Sequence, residues 1–333
     1  MTRLALFGAG RIGQVHARNL MTMPDMKLVA IADPVASPAR EDLLTRSQAR
    51  LDDAESIFSD PDIDAYLIAS PTDTHASLLR RAAGTGKPVF CEKPISLDFR
   101  QVVDVAEAFS RTNTRIMLGF QRRYDPDFMQ VREEIRSGRS GKVQHIVMHT
   151  RDPSPPPVSY VKSSGGLFRD QAIHDFDMTR FLLGEEITSV FATGNCLIAP
   201  EIGEAGDIDT AMMTLRSESG SLVQMINARY AAFGYDQRLE AVCAERVFYV
   251  ANHPAHHLVS ADARGFTSSG PMSDFIARFA QAYRAEMEAF RDMIVQGRPP
   301  LATLCDGVEA QRLAEAAALS LQTGRPVDVA SVR

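Results

Sequence analysis

Two groups of residues in this chain have the types and spacing to do chemistry. The first is Glu92-Lys93-Pro94, which closes a short apolar run downstream of an intact Gly8-x-Gly10-x-x-Gly13. A lysine at a strand end can donate to a hydroxyl and stabilise alkoxide charge as a hydride leaves. Spacing alone equally allows an ordinary surface lysine. The second group runs from Gly165 to Asp177, where Asp170, His174 and Asp177 stand at i, i+4 and i+7. On an α-helix those positions share one face. Asp170 could then fix the tautomer of His174 and raise its basicity, as suits a general base near neutral pH. An exposed amphipathic helix with an incidental charge pair is the competing reading.

The glycines follow a predicted strand and open a predicted helix. In that setting they serve a tight turn, close approach of a pyrophosphate to the backbone, and close helix-on-strand packing. The helix N-terminus adds free N–H groups and partial positive charge. Asp33 ends the second strand twenty residues past Gly13. A carboxylate there accepts from ribose hydroxyls and repels a 2′-phosphate, which favours NAD over NADP. Arg40, close by in sequence, keeps some tolerance for NADP. The third strand runs into Ser70-Pro71-Thr72-Asp73-Thr74-His75. Ser70 and Thr72 are candidates to line the pyrophosphate or nicotinamide ribose, and His75 to lie under the cofactor or to be structural.

These residues need a scaffold, and the first 120 residues supply one. Apolar runs at Leu4–Phe7, Leu28–Ala32, Ala65–Ala69, Val89–Cys91 and Ile116–Leu118 lack two-residue alternation, as strands covered on both faces do. Helical stretches alternate with them at Ile12–Met21, Ser37–Ala49, Thr74–Ala83 and Leu97–Ser110. Thr72 or Asp73 is expected to cap the third. Repeated βα units predict an α/β fold with a doubly wound parallel (Rossmann) sheet. From residue 121 to 333 the pattern predicts a second, α+β domain. A helix is expected over Pro126–Arg136. Alternating segments at Lys142–Thr150, Ala211–Leu215, Leu222–Tyr230, Leu239–Ala244 and Val247–Ala251 predict a mixed or antiparallel sheet with one covered face. Long helices are expected over Phe275–Val295 and Asp306–Thr323, and their spacing does not say which domain they pack on.

A net charge of −6 argues against a nucleic-acid partner. No apolar run approaches the length needed to span a bilayer, and Met1 leads straight into a strand rather than a signal peptide. Cys91, Cys196, Cys243 and Cys305 lack C-x-x-C spacing, which fits a reducing, cytoplasmic setting without disulfides or zinc. His253-x-x-His256-His257 lies in a Pro-containing loop without a nearby cysteine or paired carboxylate, so no metal is expected there.

Taken together, these motifs resemble the Gfo/Idh/MocA oxidoreductase family, and within it the inositol 2-dehydrogenase branch. The matching residues are Gly8 to Gly13 with His16, Ala32-Asp33, Cys91 to Pro94, Gly119 to Asp125, Arg151-Asp152-Pro153, Gly165-Gly166 and Ile173 to Asp177. The likeness runs along essentially the whole chain. It implies an NAD-dependent oxidation of a secondary alcohol on a cyclitol or sugar, with Lys93, Asp170 and His174 as catalytic trio. Arg11, Ile12, Glu92 and Gln121 join the implied cofactor contacts. Arg122, Asp152, Asp177, Tyr235 and Tyr283 are implied near the polyol. Arg151-Asp152-Pro153 and Asp170-Gln171-Ala172 depart from the family pattern, which bears on the sugar rather than the chemistry. A homodimer or tetramer is implied. An NAD-dependent glycosidase of the same fold and a non-catalytic nucleotide sensor are the alternative readings.

Overall fold

The computed structural model describes Met1–Arg333, and the chain divides into two compact units. One comprises Met1–Tyr124 with Gln281–Glu309, the other Asp125–Ala280 with Ala310–Arg333. The expected single boundary near residue 120 is therefore corrected: a late stretch of chain returns to the first unit. Its helix carries Met287, Phe290 and Met293 inward, and Phe290 meets Phe90 at 5.7 Å between ring centroids. An apolar stripe in a sequence announces a buried face without naming the core that receives it.

In the first unit six parallel strands pair in the order β3-β2-β1-β4-β5-β6. They span Thr2–Phe7 (β1), Met26–Ala32 (β2), Arg50–Leu51 (β3), Ala65–Ile68 (β4), Val89–Glu92 (β5) and Ile116–Gly119 (β6). Helices Arg11–Met21 (α1), Pro38–Ser47 (α2), Ala54–Ser59 (α3), Thr72–Ala83 (α4) and Phe99–Ser110 (α5) connect them. This is the doubly wound order in which ligands bind beyond the carboxyl ends of the strands, where the order reverses. The sequence reading omitted β3 and α3, both too short to show a period. α3 is anchored by Phe58, whose ring stacks on Phe7 at 5.1 Å and meets Tyr66 at 5.0 Å. The expected cap of α4 also differs: the helix begins at Thr72, with Pro71 at the cap position and no side-chain cap. Thr74 instead donates its hydroxyl to the Pro71 carbonyl at 2.7 Å.

The second unit holds a seven-stranded mixed sheet, β12-β11-β7-β10-β9-β8-β15. Its strands are Val143–Arg151 (β7), Ile187–Asn195 (β8), Thr210–Ser217 (β9), Leu222–Ala228 (β10), Asp236–Cys243 (β11), Val247–Val250 (β12) and Val327–Asp328 (β15). An exposed hairpin, Val259–Asp262 (β13) with Gly265–Ser268 (β14), stands apart. β7 and β10 run parallel; every other pair is antiparallel. β9 alternates buried and exposed residues, as one covered face requires. Helices of this unit are Pro126–Arg136 (α6), Val158–Ser164 (α7), Ile173–Leu183 (α8), Pro200–Glu204 (α9) and Phe275–Arg278 (α10). Two long helices follow, Ala280–Gln296 (α11) and Leu304–Thr323 (α12). The expected continuous helix over Phe275–Val295 is thus broken at Phe279. Phe279 is fully buried, and the preceding Arg278 is fixed by an ion pair to Asp125 at 2.6 Å.

Asp209 shows how a loop is tied to this sheet. It is fully buried, and its carboxylate accepts backbone N–H groups of Leu197, Ile198 and Ala199 at 2.7–2.9 Å. Burial alone would push its carboxyl up; those amides and the Thr210 hydroxyl outweigh it and hold the group below the ordinary range. A depressed folded pKa contributes stability above the unfolded value, lost as pH falls through the folded one. Asp209→Asn is therefore expected to lower stability by about 1–3 kcal/mol at neutral pH, because it strands buried donors. The gap to the parent should narrow as pH falls below about 4. Urea midpoints measured at neutral and acid pH check both halves.

Candidate active site

The nucleotide end of the first unit is built from its backbone. Gly8 has φ +92°, and an added Cβ would lie 2.5 Å from the Ser70 Cα. At Gly13 a Cβ would lie 2.0 Å from the Gly8 carbonyl oxygen, so α1 could not pack on its strand. Gly10 is the opposite case: nothing lies within 4 Å of an added Cβ. It caps α1 without a side chain, and no acidic residue stands in the first turn. Open space before free amides at a helix N-terminus fits a pyrophosphate, as the glycine fingerprint requires. Arg11 is exposed and Ile12 half-buried beside it.

Asp33 braces this cradle. Its Oδ2 accepts the Ala9 N–H at 2.7 Å and its Oδ1 the Val35 N–H at 2.9 Å. Each carboxylate oxygen has a second lone pair for a ribose hydroxyl. Arg40, noted above as a possible phosphate partner, is largely buried and committed elsewhere. It donates to Glu41 Oε1 at 2.7 Å and to the Asp33 carbonyl at 3.0 Å. Asp33→Ala should consequently raise the KM for NAD more than tenfold, given about 1.5–3 kcal/mol for hydrogen bonds to a charged group. It should narrow the preference over NADP without making NADP a good substrate. Initial rates with both nucleotides measure this.

Next to the cradle, Ser70 bonds Thr74 through its hydroxyl at 2.6 Å, and Thr72 opens α4. His75 is buried, with Nδ1 at 2.8 Å from the Pro94 carbonyl and Nε2 at 2.8 Å from that of Ser70. Burial pulls its pKa down against the pull of those two carbonyls. Both ring nitrogens thus face protein carbonyls, one in the loop after β4 and one in the loop after β5, and the neutral ring donates to one of them at a time. Any contact with a nucleotide is left to the ring face. Lys93 follows β5, half-buried, and joins Pro94 through a cis peptide. Glu92 accepts the Lys93 backbone N–H at 3.2 Å and meets His16 at 2.6 Å. Gln121 and Arg122 lie in a short turn after β6 and are largely buried. Tyr283, expected near the polyol, belongs to this unit and packs its ring edge against His16 at 5.7 Å.

In the second unit the ends of β7 and β10 and the start of β11 converge. Asp152 donates its backbone N–H to the Ala228 carbonyl at 3.0 Å, and Arg151 pairs with Asp236 at 2.8 Å. Against this edge stands the segment carrying Asp170 and His174. A π-helical turn spans Phe168–Ala172 before α8 begins. The simple i, i+4 register from Asp170 to His174 is therefore interrupted, as often happens where a helix carries functional groups. Asp170 accepts the Tyr160 hydroxyl at 2.8 Å and Arg229 Nη1 at 2.6 Å. Gln171 donates to Asp152 at 2.7 Å and to the Ala228 carbonyl at 3.0 Å. Asp175, directly after His174, accepts from Thr150 at 2.9 Å and Asn227 at 2.7 Å. These bonds pin α8 to β7 and β10 and fix where His174 points. His174 keeps 9 % of its surface exposed. Asp177, at 1 %, is inside the core, and Tyr235 is buried with its ring edge 6.4 Å from Phe279.

Sequence reasoning missed Arg229, Asn227 and Tyr160. None sits in a motif, and only the tertiary fold brings them to Asp170, Gln171 and Asp175. Gln171 was noted within Asp170-Gln171-Ala172 but carried no assigned role. Asp175 was visible within its motif but carried no assigned role.

A Rossmann sheet with its phosphate cradle intact, in one chain with a mixed sheet that carries a buttressed histidine, defines a dinucleotide-dependent oxidoreductase. The chain belongs to the GFO/IDH/MocA oxidoreductase family. Residues 2–120 match its NAD-binding Rossmann-fold domain and residues 128–248 its C-terminal domain. An inositol 2-dehydrogenase of Rhizobium meliloti is 43% identical over 98% of this chain and 99% of its own. The crystal structure of a myo-inositol dehydrogenase from Corynebacterium glutamicum aligns with TM-score 0.93 at 39% identity, covering 98% of both chains. A scyllo-inositol dehydrogenase from Lactobacillus casei, solved with NAD(H) and scyllo-inositol, aligns with TM-score 0.91 at 29% identity, covering 99% of this chain and 100% of that one.

Proposed function

We propose that this chain is an NAD-dependent dehydrogenase that oxidises one ring hydroxyl of an inositol, or of a closely related sugar, to a ketone. The observation that carries the reading is likeness to inositol dehydrogenases over the full chain, with Lys93, Asp170 and His174 all present. Bound NAD supplies the hydride acceptor. His174 takes the hydroxyl proton as the carbon–hydrogen bond breaks. Lys93 orients that oxygen and stabilises its developing negative charge. Asp170, itself held by Tyr160 and Arg229, sets the field around His174. Asp152, supported by Gln171, and Arg122 bind neighbouring hydroxyls. No helix is long and apolar enough to cross a membrane. The enzyme works in the cytoplasm as a homodimer or homotetramer.

NADH formation across a panel of inositols and aldoses, with NAD and with NADP, tests the reading. Turnover with NAD and at least one cyclitol is expected. Absence of turnover with every polyol, together with release of the leaving group from an aryl glycoside, would overturn it in favour of glycosidase chemistry.

A further inference from the structure

Two buried residues of the first unit have no part in the scheme above: His16 on α1 and Glu286 on α11. They meet at Glu92, and one ligating atom from each of the three lies within 4.8 Å of the others. Aromatic rings wall the cluster, with Phe90 at 4.9 Å and Tyr283 at 5.7 Å from His16. Glu286 is completely buried, and neither of its carboxylate oxygens has a hydrogen-bond partner. His16 Nδ1 lacks one as well.

The three members are not equivalent. Glu92 is held by His16 through Oε1 and accepts the Lys93 N–H through Oε2. Its carboxyl fills the space beside Gly119, 2.8 Å from where a Cβ there would stand. Two ionised carboxylates this close in an apolar pocket repel, and both lose hydration. A single proton relieves the conflict, and it belongs on the carboxyl without donors. Burial, with Glu92 adding to it, pushes the Glu286 carboxyl well above the usual range. The titratable groups around it are Glu92 from β5, His16 from α1 and Tyr124 from the turn after β6, with Cys91 beside Glu92 and Tyr283 against His16.

We propose that Glu286 is a positioning residue for Lys93: its protonated carboxyl leaves Glu92 as the sole anion of the pocket, free to clamp the Lys93 backbone. When Glu286 ionises, repulsion displaces Glu92 and loosens the lysine. The proposal rests on the role given to Lys93 above, so one arm of its test does not depend on turnover. In infrared difference spectra of the purified enzyme, from neutral to alkaline pH, the parent should show the carbonyl stretch of a buried carboxylic acid. The band should shift in heavy water and be absent from Glu286→Gln. In the kinetic arm, kcat of the parent should fall at alkaline pH as that band disappears. In Glu286→Gln the alkaline limb should move by at least about one pH unit, with substrate KM little changed.

A band missing from the parent, or retained in Glu286→Gln, would overturn the protonation. A lost band with an unmoved alkaline limb would overturn the positioning role. One equivalent of metal held by the parent and lost from Glu286→Gln would also overturn it, making the cluster a cation site. A parent that oxidises no polyol yet shows the band would sink the dehydrogenase reading and the positioning of a catalytic lysine, while leaving the proton on Glu286 in place.

Discussion

His174→Ala is expected to lower kcat on the best cyclitol by roughly 10²- to 10⁴-fold, the range for losing a general base. The loss should fall on kcat rather than KM, because the imidazole acts on a proton that moves only in the transition state. Tight binding of NAD should survive, since the cradle at Gly8 to Gly13 lies in the other unit. Lys93→Ala should cost about 10²- to 10³-fold in kcat, as removal of an oxyanion donor does. Lys93→Arg should recover little of that, because a planar guanidinium does not place its charge where an ammonium does. Steady-state rates and NAD titrations on folded variants measure all three. A His174→Ala enzyme within a factor of a few of the parent would remove the histidine from the mechanism.

Arg229→Met carries the largest expected stability loss, about 3–5 kcal/mol, the cost of breaking a buried pair from one side. Arg229 is 2 % exposed, bonded to Asp170 at 2.6 Å and 3.7 Å from Asp207. Without it two largely buried carboxylates face each other with no cation between them. The double variant Arg229→Met with Asp170→Asn should be more stable than Arg229→Met alone, because one stranded charge is removed. Denaturant midpoints of the parent, both singles and the double decide this. Additive losses would show that the pair is not coupled.

How far could these parts be read from the chain? The parallel sheet was legible because strands buried on both faces carry continuous apolar runs, as Leu4–Phe7, Leu28–Ala32, Ala65–Ile68, Val89–Cys91 and Ile116–Leu118 do. The glycine loop was legible because each glycine is forced by contact: Gly8 by the Ser70 backbone, Gly13 by Gly8 itself. α6 fell where predicted because Asp125 caps it, accepting from Asp127 and Phe128. β8 and the exposed hairpin were missed. The helix over Phe275–Val295 was read as continuous because its composition carries no signal of the break at Phe279.

The candidate site divides the same way. Lys93 and His174 announced themselves by residue type beside a recognisable element. Arg229 and Glu286 did not, because an isolated arginine or glutamate in sequence reads as a solvated charge. Their meaning comes from burial, which depends on partners about 60 and 190 residues away in the chain.

By itself, then, the sequence determined the local and periodic features: the doubly wound parallel sheet, the phosphate cradle, the acidic end of β2, and the two segments bearing Lys93 and His174. Tertiary structure alone decided that α11 returns to the first unit, that a π turn re-aims Asp170, and that Glu286 faces Glu92. The physical reason is range. Hydrogen-bond periodicity and steric limits act over a few residues and leave their mark in local spacing, whereas the identity of a buried partner is fixed only when distant segments compete for the same core.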